Sequence, residues 1–297
     1  MKKIRIGYFA DGPWAHEALA KLIKDETLEI AFICARDDKP DEILRLASID
    51  QGIDFFSHPR INSIEFFNLV SSYKCDLFVS MSFNQIFKES LINLPPLRTI
   101  NCHAGKLPFY RGRNVLNWAL INDESSFGIT VHYIDEGIDT GDIILQHNYK
   151  IDDNDDYSTL LVRAYEGCSL ILYTAIKLIQ SGNVERIVQR DIDPIGSYCT
   201  TRMEGDEVID WGQKSRDVFS FVRAICLPGP QARTLLDGVE IKINRVSYLP
   251  NATKYKGIPG SVIGVEAETF LVKTLDSFVR VTDWSGCLMP RIGDRFK

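Results

Sequence analysis

An asparagine and a histidine two positions apart are the residues of this sequence best suited to chemistry. Asn101 and His103 end a short apolar run, residues 97–103, that reads as a strand. Because strand side chains alternate between two faces, Asn101 and His103 should point the same way, with Cys102 turned into the core. Residues 104–105 end the strand, so both polar groups emerge at its carboxyl end. That edge is where parallel α/β sheets bind ligands.

An acidic loop follows the next predicted strand, residues 127–133. Residues 135–142 (DEGIDTGD) contain four acidic side chains and two glycines. An amide, an imidazole and a carboxylate held together suit acyl transfer to an amine. The imidazole takes a proton from the attacking nitrogen, the amide donates to the oxyanion, and the carboxylate orients the imidazole. The amine attacks directly, so no covalent nucleophile is needed.

Three motifs together resemble the N10-formyltetrahydrofolate-dependent formyltransferase family. They are the Asn-x-His pair, LPFYRGR at residues 107–113 and IDTGD at residues 138–142. In that family an Asn-x-His pair and an aspartate in an L/I-D-x-G loop form a catalytic triad. The aspartate lies some 38 positions after the asparagine, so the resemblance implies catalytic roles for Asn101, His103 and Asp139. The competing acidic residues of the loop are Asp135, Glu136 and Asp142.

The resemblance also implies where the formyl donor binds. Residues 80–87 leave the fourth predicted strand and carry little charge. In the family, the corresponding loop holds the pterin ring of N10-formyltetrahydrofolate through main-chain groups. The implied folate-binding residues are Met81, Ser82, Phe83, Ile86, Ile138 and Asp139. The residues by themselves favour an ordinary strand-to-helix loop with Phe83 and Ile86 facing the core.

Three cations and two aromatic residues follow His103 within residues 105–113. The whole chain has a formal net charge of -6, so an anionic substrate would need a local positive patch. We expect Lys106, Tyr110, Arg111, Arg113 and Asn114 to bind the acceptor. Asn114 is also placed to cap a helix over residues 114–122. A solvated basic loop is the alternative, and an internal ion pair is the competing role for any of the cations.

Composition agrees with a folded enzyme in a reducing compartment. The chain has 297 residues, 45% of them apolar, and seven cysteines without a C-x-x-C pair. With no signal peptide and no apolar run that approaches a membrane span, we expect a cytoplasmic protein with reduced thiols. The Gly-x-Gly-x-x-Gly motif is absent, which disfavours a dinucleotide cofactor. Metal-ligand spacing is also absent, so we expect no metal, and we expect the other histidines to be structural: His16, His58, His132 and His147.

Strands alternating with helices predict a Rossmann-like, mostly parallel sheet with helices on both faces over residues 1–200, the catalytic domain. A long helix from about residue 156 to 180 has an apolar stripe that should face the core. Short strands separated by Gly, Pro and Asn then predict a small β-rich domain over residues 201–297, resembling an open barrel. Its strands are expected at residues 232–236, 240–248, 261–265, 269–274 and 278–282.

Members of the family differ in the acceptor that they formylate. The purine-pathway enzyme is a shorter, single domain. The tRNA enzyme has a cationic loop after its second strand, whereas residues 36–42 (RDDKPDE) are net negative and would repel an RNA backbone. Residues 201–297 contain 14 Lys and Arg against 12 Asp and Glu, too small an excess for an RNA surface. The wording GKLPFYRGRNVLNWALIN, at residues 105–122, resembles the nucleotide-linked amino-sugar N-formyltransferases.

The resemblance therefore implies formyl transfer from N10-formyltetrahydrofolate to a dTDP- or UDP-linked amino-deoxy sugar. A dTDP-linked 3- or 4-amino-dideoxyhexose is the expected acceptor, and its product would feed O-antigen or lipopolysaccharide biosynthesis. The implied partners are the nucleotide sugar and folate, without nucleic acid or membrane, and a homodimer stays open. Two alternatives remain: methionyl-tRNA formyltransferase, and a non-catalytic folate- or nucleotide-binding module that the complete triad disfavours.

Overall fold

The computed structural model describes residues 3–297, which contain two sheets and a short strand pair. The strands are β1 (Ile4–Ala10), β2 (Leu28–Ala35), β3 (Asp54–Ser57), β4 (Leu77–Met81), β5 (Thr99–His103), β6 (Arg111–Gly112), β7 (Ser126–Tyr133), β8 (Ile143–Lys150), β9 (Tyr198–Cys199), β10 (Ala232–Leu236), β11 (Val239–Ser247), β12 (Val262–Glu266), β13 (Thr269–Lys273) and β14 (Phe278–Ser285). The helices are α1 (Gly12–Ile23), α2 (Glu42–Gln51), α3 (Ile64–Ser72), α4 (Glu89–Ile92), α5 (Val115–Ile121), α6 (Tyr157–Ser181), α7 (Gln189–Ile192) and α8 (Ser215–Ile225).

A seven-stranded sheet organises the first part of the chain. Its strand order is β3-β2-β1-β4-β5-β7-β8. The pairs β1–β2, β2–β3, β1–β4 and β4–β5 are parallel, whereas β5 and β7 are antiparallel. The order reverses between β1 and β4, and ligands of open α/β sheets bind beside such a reversal. The predicted mostly parallel sheet is confirmed.

Adjacent residues of β1 show that helices cover both faces of this sheet. Tyr8 is fully buried and donates its hydroxyl to the carbonyl of Ala15 in α1. The ring of Phe9 lies 6.1 Å from that of Phe66 in α3. Because neighbouring strand side chains point to opposite faces, α1 and α3 lie on opposite sides of β1.

The second sheet is antiparallel and five-stranded, in the order β10-β11-β14-β13-β12. All five strands lie within a residue or two of their predicted starts. The fold class, a Rossmann-like sheet followed by a small β-rich domain, is confirmed. No helix within residues 3–297 is both long enough and apolar enough to cross a membrane.

Two compact units divide the chain. One contains Met1–Gly112, Phe127–Tyr149 and Val162–Cys199, and the other contains Arg113–Ser126, Lys150–Leu161 and Thr200–Lys297. Asn114 therefore belongs to the second unit. It precedes α5 with φ of 55°, and its side-chain oxygen accepts from the N–H of Arg202 at 3.0 Å instead of from the helix. The prediction that the Asn114 side chain caps α5 is wrong, because Arg202 takes the oxygen that a cap would use.

The long helix α6 is fixed to the turn between α1 and β2 by one carboxylate. Asp25 accepts from Thr27 Oγ1 at 2.6 Å, and from Tyr173 Oη and Lys177 Nζ, both at 2.9 Å. The hydrogen bond from Thr27 is the largest of several that hold the pKa of Asp25 well below its ordinary value. Asp25 therefore stabilises the fold in its charged form.

We expect Asp25→Asn to lower the free energy of unfolding by about 1–2 kcal/mol at neutral pH. The folded-state pKa is depressed, so this stabilisation is present above the unfolded pKa and is lost as pH falls through the folded one. Urea unfolding at pH 7 and at about pH 3 checks both parts, with the exposed Asp50→Asn as control. Equal midpoints for the Asp25 variant and the parent at pH 7 would contradict it.

Candidate active site

The strand β5 delivers Asn101 and His103 to one face, as its alternation predicts. Both side chains reach Asp139, and Asn101 Nδ2 lies 3.5 Å from Oδ1. His103 Nδ1 lies 3.6 Å from Oδ2 of the same carboxylate. Cys102, between them, is buried and its thiol faces the carbonyl of Cys168 in α6. The structure therefore brings together the amide, the imidazole and the carboxylate that the sequence singles out.

Asp139 stands on a loop whose backbone is held in an unusual conformation. Its φ is 54°, in the left-handed region that non-glycine residues seldom adopt. The N–H of Gly112, in β6, donates to Oδ2 at 2.9 Å and so fixes the carboxylate directly. Such strained residues persist only where the surroundings determine them, and they concentrate at functional sites.

The charge of Asp139 is stabilised by its neighbours. The side chain is only 14% exposed, and burial alone would raise its pKa. The nearby His103, His132 and the N–H of Gly112 outweigh burial and hold the pKa of Asp139 well below its ordinary value. The carboxylate is therefore ionised throughout the neutral range.

Hydrogen bonds select the reactive nitrogen of His103. Nε2 lies 2.7 Å from the carbonyl oxygen of Tyr110, which can only accept, so Nε2 carries a hydrogen. In the neutral ring Nδ1 then carries the lone pair, on the side of Asp139. A proton taken up at Nδ1 would face the carboxylate, so both nitrogens of the charged ring would have acceptors. Nδ1 is therefore the nitrogen of His103 that is open to a proton, with the carboxylate of Asp139 beside it.

His132 is a member of this cluster that the sequence analysis assigned to a structural role. Its Nδ1 lies 2.8 Å from the carbonyl of Tyr133, and its Nε2 lies 3.2 Å from Asn101 Nδ2 and 3.5 Å from Asp139 Oδ1. The carbonyl places the hydrogen on Nδ1, so Nε2 of the neutral ring accepts from the Asn101 amide. His132 thereby fixes which way that amide faces. The feature that reveals this role of His132 is strand pairing, because the pairing of β5 with β7 places His132 directly opposite Asn101.

The other acidic residues of the loop serve different purposes. Asp135 Oδ1 accepts from Thr140 Oγ1 at 2.6 Å and from the N–H of Gly137 at 3.1 Å, which closes the loop on itself. Glu136 is exposed, and the carbonyl of Asp142 pairs with the N–H of Tyr133. Asp139 is the acidic residue of this loop whose carboxylate reaches Asn101 and His103.

The expected acceptor-binding residues differ in their surroundings. Lys106 and Arg113 are exposed. The Tyr110 carbonyl holds His103, as described above. Arg111 is 5% exposed, and its guanidinium donates to Gln189 Oε1 at 2.7 and 3.1 Å and to the carbonyl of Ile195 at 3.1 Å. Arg111 thus has an internal hydrogen-bonding role, whereas contact between Lys106 or Arg113 and a substrate stays a prediction.

The expected donor-binding loop combines core anchors with exposed groups. Met81 is buried, and the Phe83 ring packs 5.6 Å from Phe9. Ser82 is exposed with φ of 57°, and Ile86 is 66% exposed, so of the two apolar residues Phe83 alone faces the core. The carbonyl of Ile86 accepts from Asn62 Nδ2 at 2.7 Å.

Ile138, beside Asp139, is 54% exposed and offers a second apolar surface.

The described residues, 3–297, contain no group of three or more His, Cys, Asp or Glu side chains that could hold a metal ion. Direct attack by an amine, assisted by a base and an oxyanion donor, requires only the side chains found here.

An α/β sheet with an amide, an imidazole and a carboxylate at its carboxyl edge defines an acyl-transfer enzyme. A family model described as Formyl transferase matches residues 2–176, and one described as Formyl transferase, C-terminal domain, matches residues 203–285. The chain belongs to the formyl transferase family and is an enzyme that transfers formyl groups. The predicted family and enzyme class are confirmed.

Proteins similar to this chain carry the names of enzymes with different acceptors. A methionyl-tRNA formyltransferase from Syntrophomonas wolfei subsp. wolfei is 30% identical over 290 residues, covering 94% of this chain and 90% of that protein. The N-formyltransferase of Helicobacter canadensis, solved with folinic acid and dTDP-3-aminofucose, has a TM-score of 0.73 at 20% identity, covering 96% of this chain and 100% of that one. WlaRD, a sugar 3N-formyl transferase solved with dTDP and 5-N-formyl-THF, has a TM-score of 0.70 at 20% identity, covering 97% and 100%. The two solved structures share the fold.

Gly105 leaves the space that His103 occupies, which makes it a sharp probe of the site. A Cβ at this position would overlap both His103 Nε2 and the Tyr110 carbonyl oxygen. We expect Gly105→Ala to break that hydrogen bond, displace the ring and lower kcat by about 100-fold. Steady-state kinetics of formyl transfer measure the effect.

The matched control is Gly182→Ala, after the end of α6, where a Cβ meets nothing within 4 Å although φ is 72°. This control makes the same Gly→Ala change and adds the strain of an alanine at positive φ, and we expect it to keep the kcat of the parent. If Gly105→Ala also kept it, the role assigned to the His103–Tyr110 contact would be wrong.

Proposed function

We propose that this enzyme transfers the formyl group of N10-formyltetrahydrofolate to the amine of a nucleotide-linked amino-deoxy sugar. The transfer is carried by the cluster of Asn101, His103 and Asp139, which contains a proton acceptor, an oxyanion donor and a carboxylate. The choice of a sugar acceptor rests on a separate observation: in the acidic loop that follows β2, carboxylates neutralise the charge of Arg36.

The chemistry follows from the positions of these atoms. The amine nitrogen attacks the formyl carbon, and its proton passes to His103 Nδ1 while a tetrahedral intermediate forms. One Asn101 N–H reaches His132 at 3.2 Å and the other reaches Asp139 at 3.5 Å, and the longer contact is the one an oxyanion would replace. As the bond from carbon to N10 breaks, the imidazolium returns the proton to N10. Asp139 stabilises the charged ring between these two steps.

The loop after β4 suits the flat, uncharged pterin ring of the donor. Its exposed Ile86 and the exposed Ile138 offer apolar surface, while Met81 and Phe83 anchor the loop in the core. Ring systems bind in sites that are mostly apolar with a few placed polar groups. The H. canadensis and WlaRD structures were solved with related formylated folates, which supports N10-formyltetrahydrofolate as the donor.

The loop between β2 and α2 disfavours an RNA acceptor. Arg36 pairs with Asp38 at 2.6 Å and with Asp11 at 3.3 Å, so two carboxylates neutralise its charge. Asp41 sits at the N-terminus of α1, where it accepts from the N–H of Gly12 at 2.9 Å and pairs with His16 at 2.8 Å. A phosphate group is attracted to free cations and to open helix N-termini, and here carboxylates occupy both Arg36 and the N-terminus of α1.

Methionyl-tRNA is the competing acceptor, because the S. wolfei relative acts on it and aligns over most of both chains. We give more weight to the charge of the loop after β2, since RNA affinity depends on cations at each phosphate contact. On the sugar assignment, the product belongs to O-antigen or lipopolysaccharide assembly. The enzyme would then act in the cytoplasm, and a homodimer stays open.

A side-by-side acceptor assay tests this function. With N10-formyltetrahydrofolate as donor, we expect turnover of dTDP-linked 3- or 4-amino-dideoxyhexoses, with UDP-linked amino sugars as a second panel. We expect no turnover of initiator methionyl-tRNA, even at low salt, where RNA binding is strongest. Efficient formylation of the tRNA, with every amino sugar refused, would transfer the assignment to the tRNA enzyme.

A second measurement concerns Lys106, an exposed cation three residues after His103. If Lys106 binds the diphosphate, Lys106→Ala should raise the KM of the nucleotide sugar about tenfold, the loss of one charge-assisted contact, while the KM of the folate stays near its parent value. Lys24→Ala, an exposed cation after α1, is the matched control. Equal increases in both KM values for the Lys106 variant would remove Lys106 from the diphosphate site.

A further inference from the structure

Gln189 connects the loop that carries Asp139 to Arg111. It starts α7, beyond the long helix α6, and is only 2% exposed. Ile187, two residues earlier, exchanges main-chain hydrogen bonds with Ile143 of β8 at 2.9 and 3.0 Å. This bridge holds the segment beside the place where the Asp139 loop enters β8.

The Gln189 amide uses its whole hydrogen-bonding capacity. Nε2 donates to the carbonyl of Asp139 at 2.8 Å and to that of Gly141 at 2.7 Å. Oε1 accepts from Nε and Nη2 of Arg111 at 3.1 and 2.7 Å. Carbonyls can only accept and a guanidinium can only donate, so the amide has one possible orientation.

These contacts close a ring around the carboxylate of Asp139. The side chain of Asp139 accepts from the N–H of Gly112, and the Arg111 side chain next to it holds Gln189. Gln189 in turn holds the main chain of Asp139, whose φ of 54° needs support from its surroundings. Asp139 is thus held at two points: the N–H of Gly112 holds its carboxylate, and Gln189 holds its main-chain carbonyl.

We propose that Gln189 is a positioning residue for formyl transfer, which holds Asp139 at its working distance from His103. It touches neither substrate in this role. The chemical consequence of its loss is a displaced carboxylate, and therefore a His103 ring that is worse oriented when the proton arrives. Misplacement by about 1 Å can cost about 100-fold in rate.

Gln189→Glu is the decisive variant. A glutamate keeps an acceptor for the Arg111 fork, even as an ion pair, but places a second oxygen against the carbonyls of Asp139 and Gly141. We expect kcat to fall about 10- to 100-fold while the KM values of both substrates stay within about threefold. Gln189→Leu, which removes all four hydrogen bonds, should lower kcat at least as far and lower the melting temperature more.

Asn117→Asp supplies the control for lost stability. Asn117 is buried and donates to the carbonyl of Ala224 at 2.6 Å, so this variant also replaces an amide that supports main chain. We expect it to lower the melting temperature and to keep the parent kcat. A parental kcat in Gln189→Glu, or an equal kcat loss in Asn117→Asp at equal destabilisation, would overturn the positioning role.

The kinetic comparison rests on the proposed function, so a second readout is taken without any acceptor. The imidazole signals of His103 and His147 in the NMR spectrum of the folded protein are assigned by substituting each histidine. We expect Gln189→Glu to shift the His103 signal and to leave that of the exposed His147 in place. An unshifted His103 signal refutes the proposal even if the assigned acceptor proves wrong, and a shifted one supports it in the same circumstance.

Discussion

The buried carboxylate of Asp139 imposes the conditions that the surrounding structure has to meet. A charge removed from water is costly unless hydrogen bonds and opposite charge replace the lost hydration. Asp139 obtains this from the N–H of Gly112 and from the protonated forms of His103 and His132, and its pKa lies well below the ordinary value as a result. The catalytic arrangement is therefore also the arrangement that makes the carboxylate tolerable inside the protein.

The antiparallel pairing of β5 with β7 meets one of these conditions. It places Asn101 directly opposite His132, on the face of the sheet to which Asp139 turns. Because the pair is antiparallel, β7 ends beside the amino end of β5, with Tyr133 paired to Ile100 and Thr130 paired to His103. The acidic loop therefore leaves β7 at the edge opposite to His103, and it must fold back toward the carboxyl end of β5 for Asp139 to lie 3.6 Å from His103 Nδ1.

Local patterns in the sequence were sufficient for most of the fold and for half of the cluster. The alternation of strand residues placed Asn101 and His103 on one face, because that periodicity is a local property. Asp139 came from resemblance, since no pattern within the loop distinguishes its carboxylates. His132 was missed because its role depends on strand pairing, and register across a ladder is not written in either strand alone.

Arg111 shows a different limit of sequence reasoning. A cation that follows a catalytic strand in an anionic protein is a reasonable ligand for phosphate. The competing internal role can be inferred only when the hydrogen-bond partner of the cation is known. That partner, Gln189, is 78 residues away, and the two residues lie in very short elements, Arg111 in the two-residue β6 and Gln189 in the four-residue α7. Such short elements have no periodicity to detect, so the contact that gives Arg111 an internal hydrogen-bonding role appears only in the folded chain.

Charge at the edge of the sheet connects the fold to the choice of acceptor. Asp41 holds the N-terminus of α1, so this helix end stabilises an internal carboxylate instead of a ligand phosphate. Arg36 is likewise neutralised within its own loop. Both arrangements occupy groups that a polyanion would require. Each RNA phosphate contact needs its own cation, while a nucleotide sugar brings a single diphosphate, and the sugar acceptor proposed above rests on this difference.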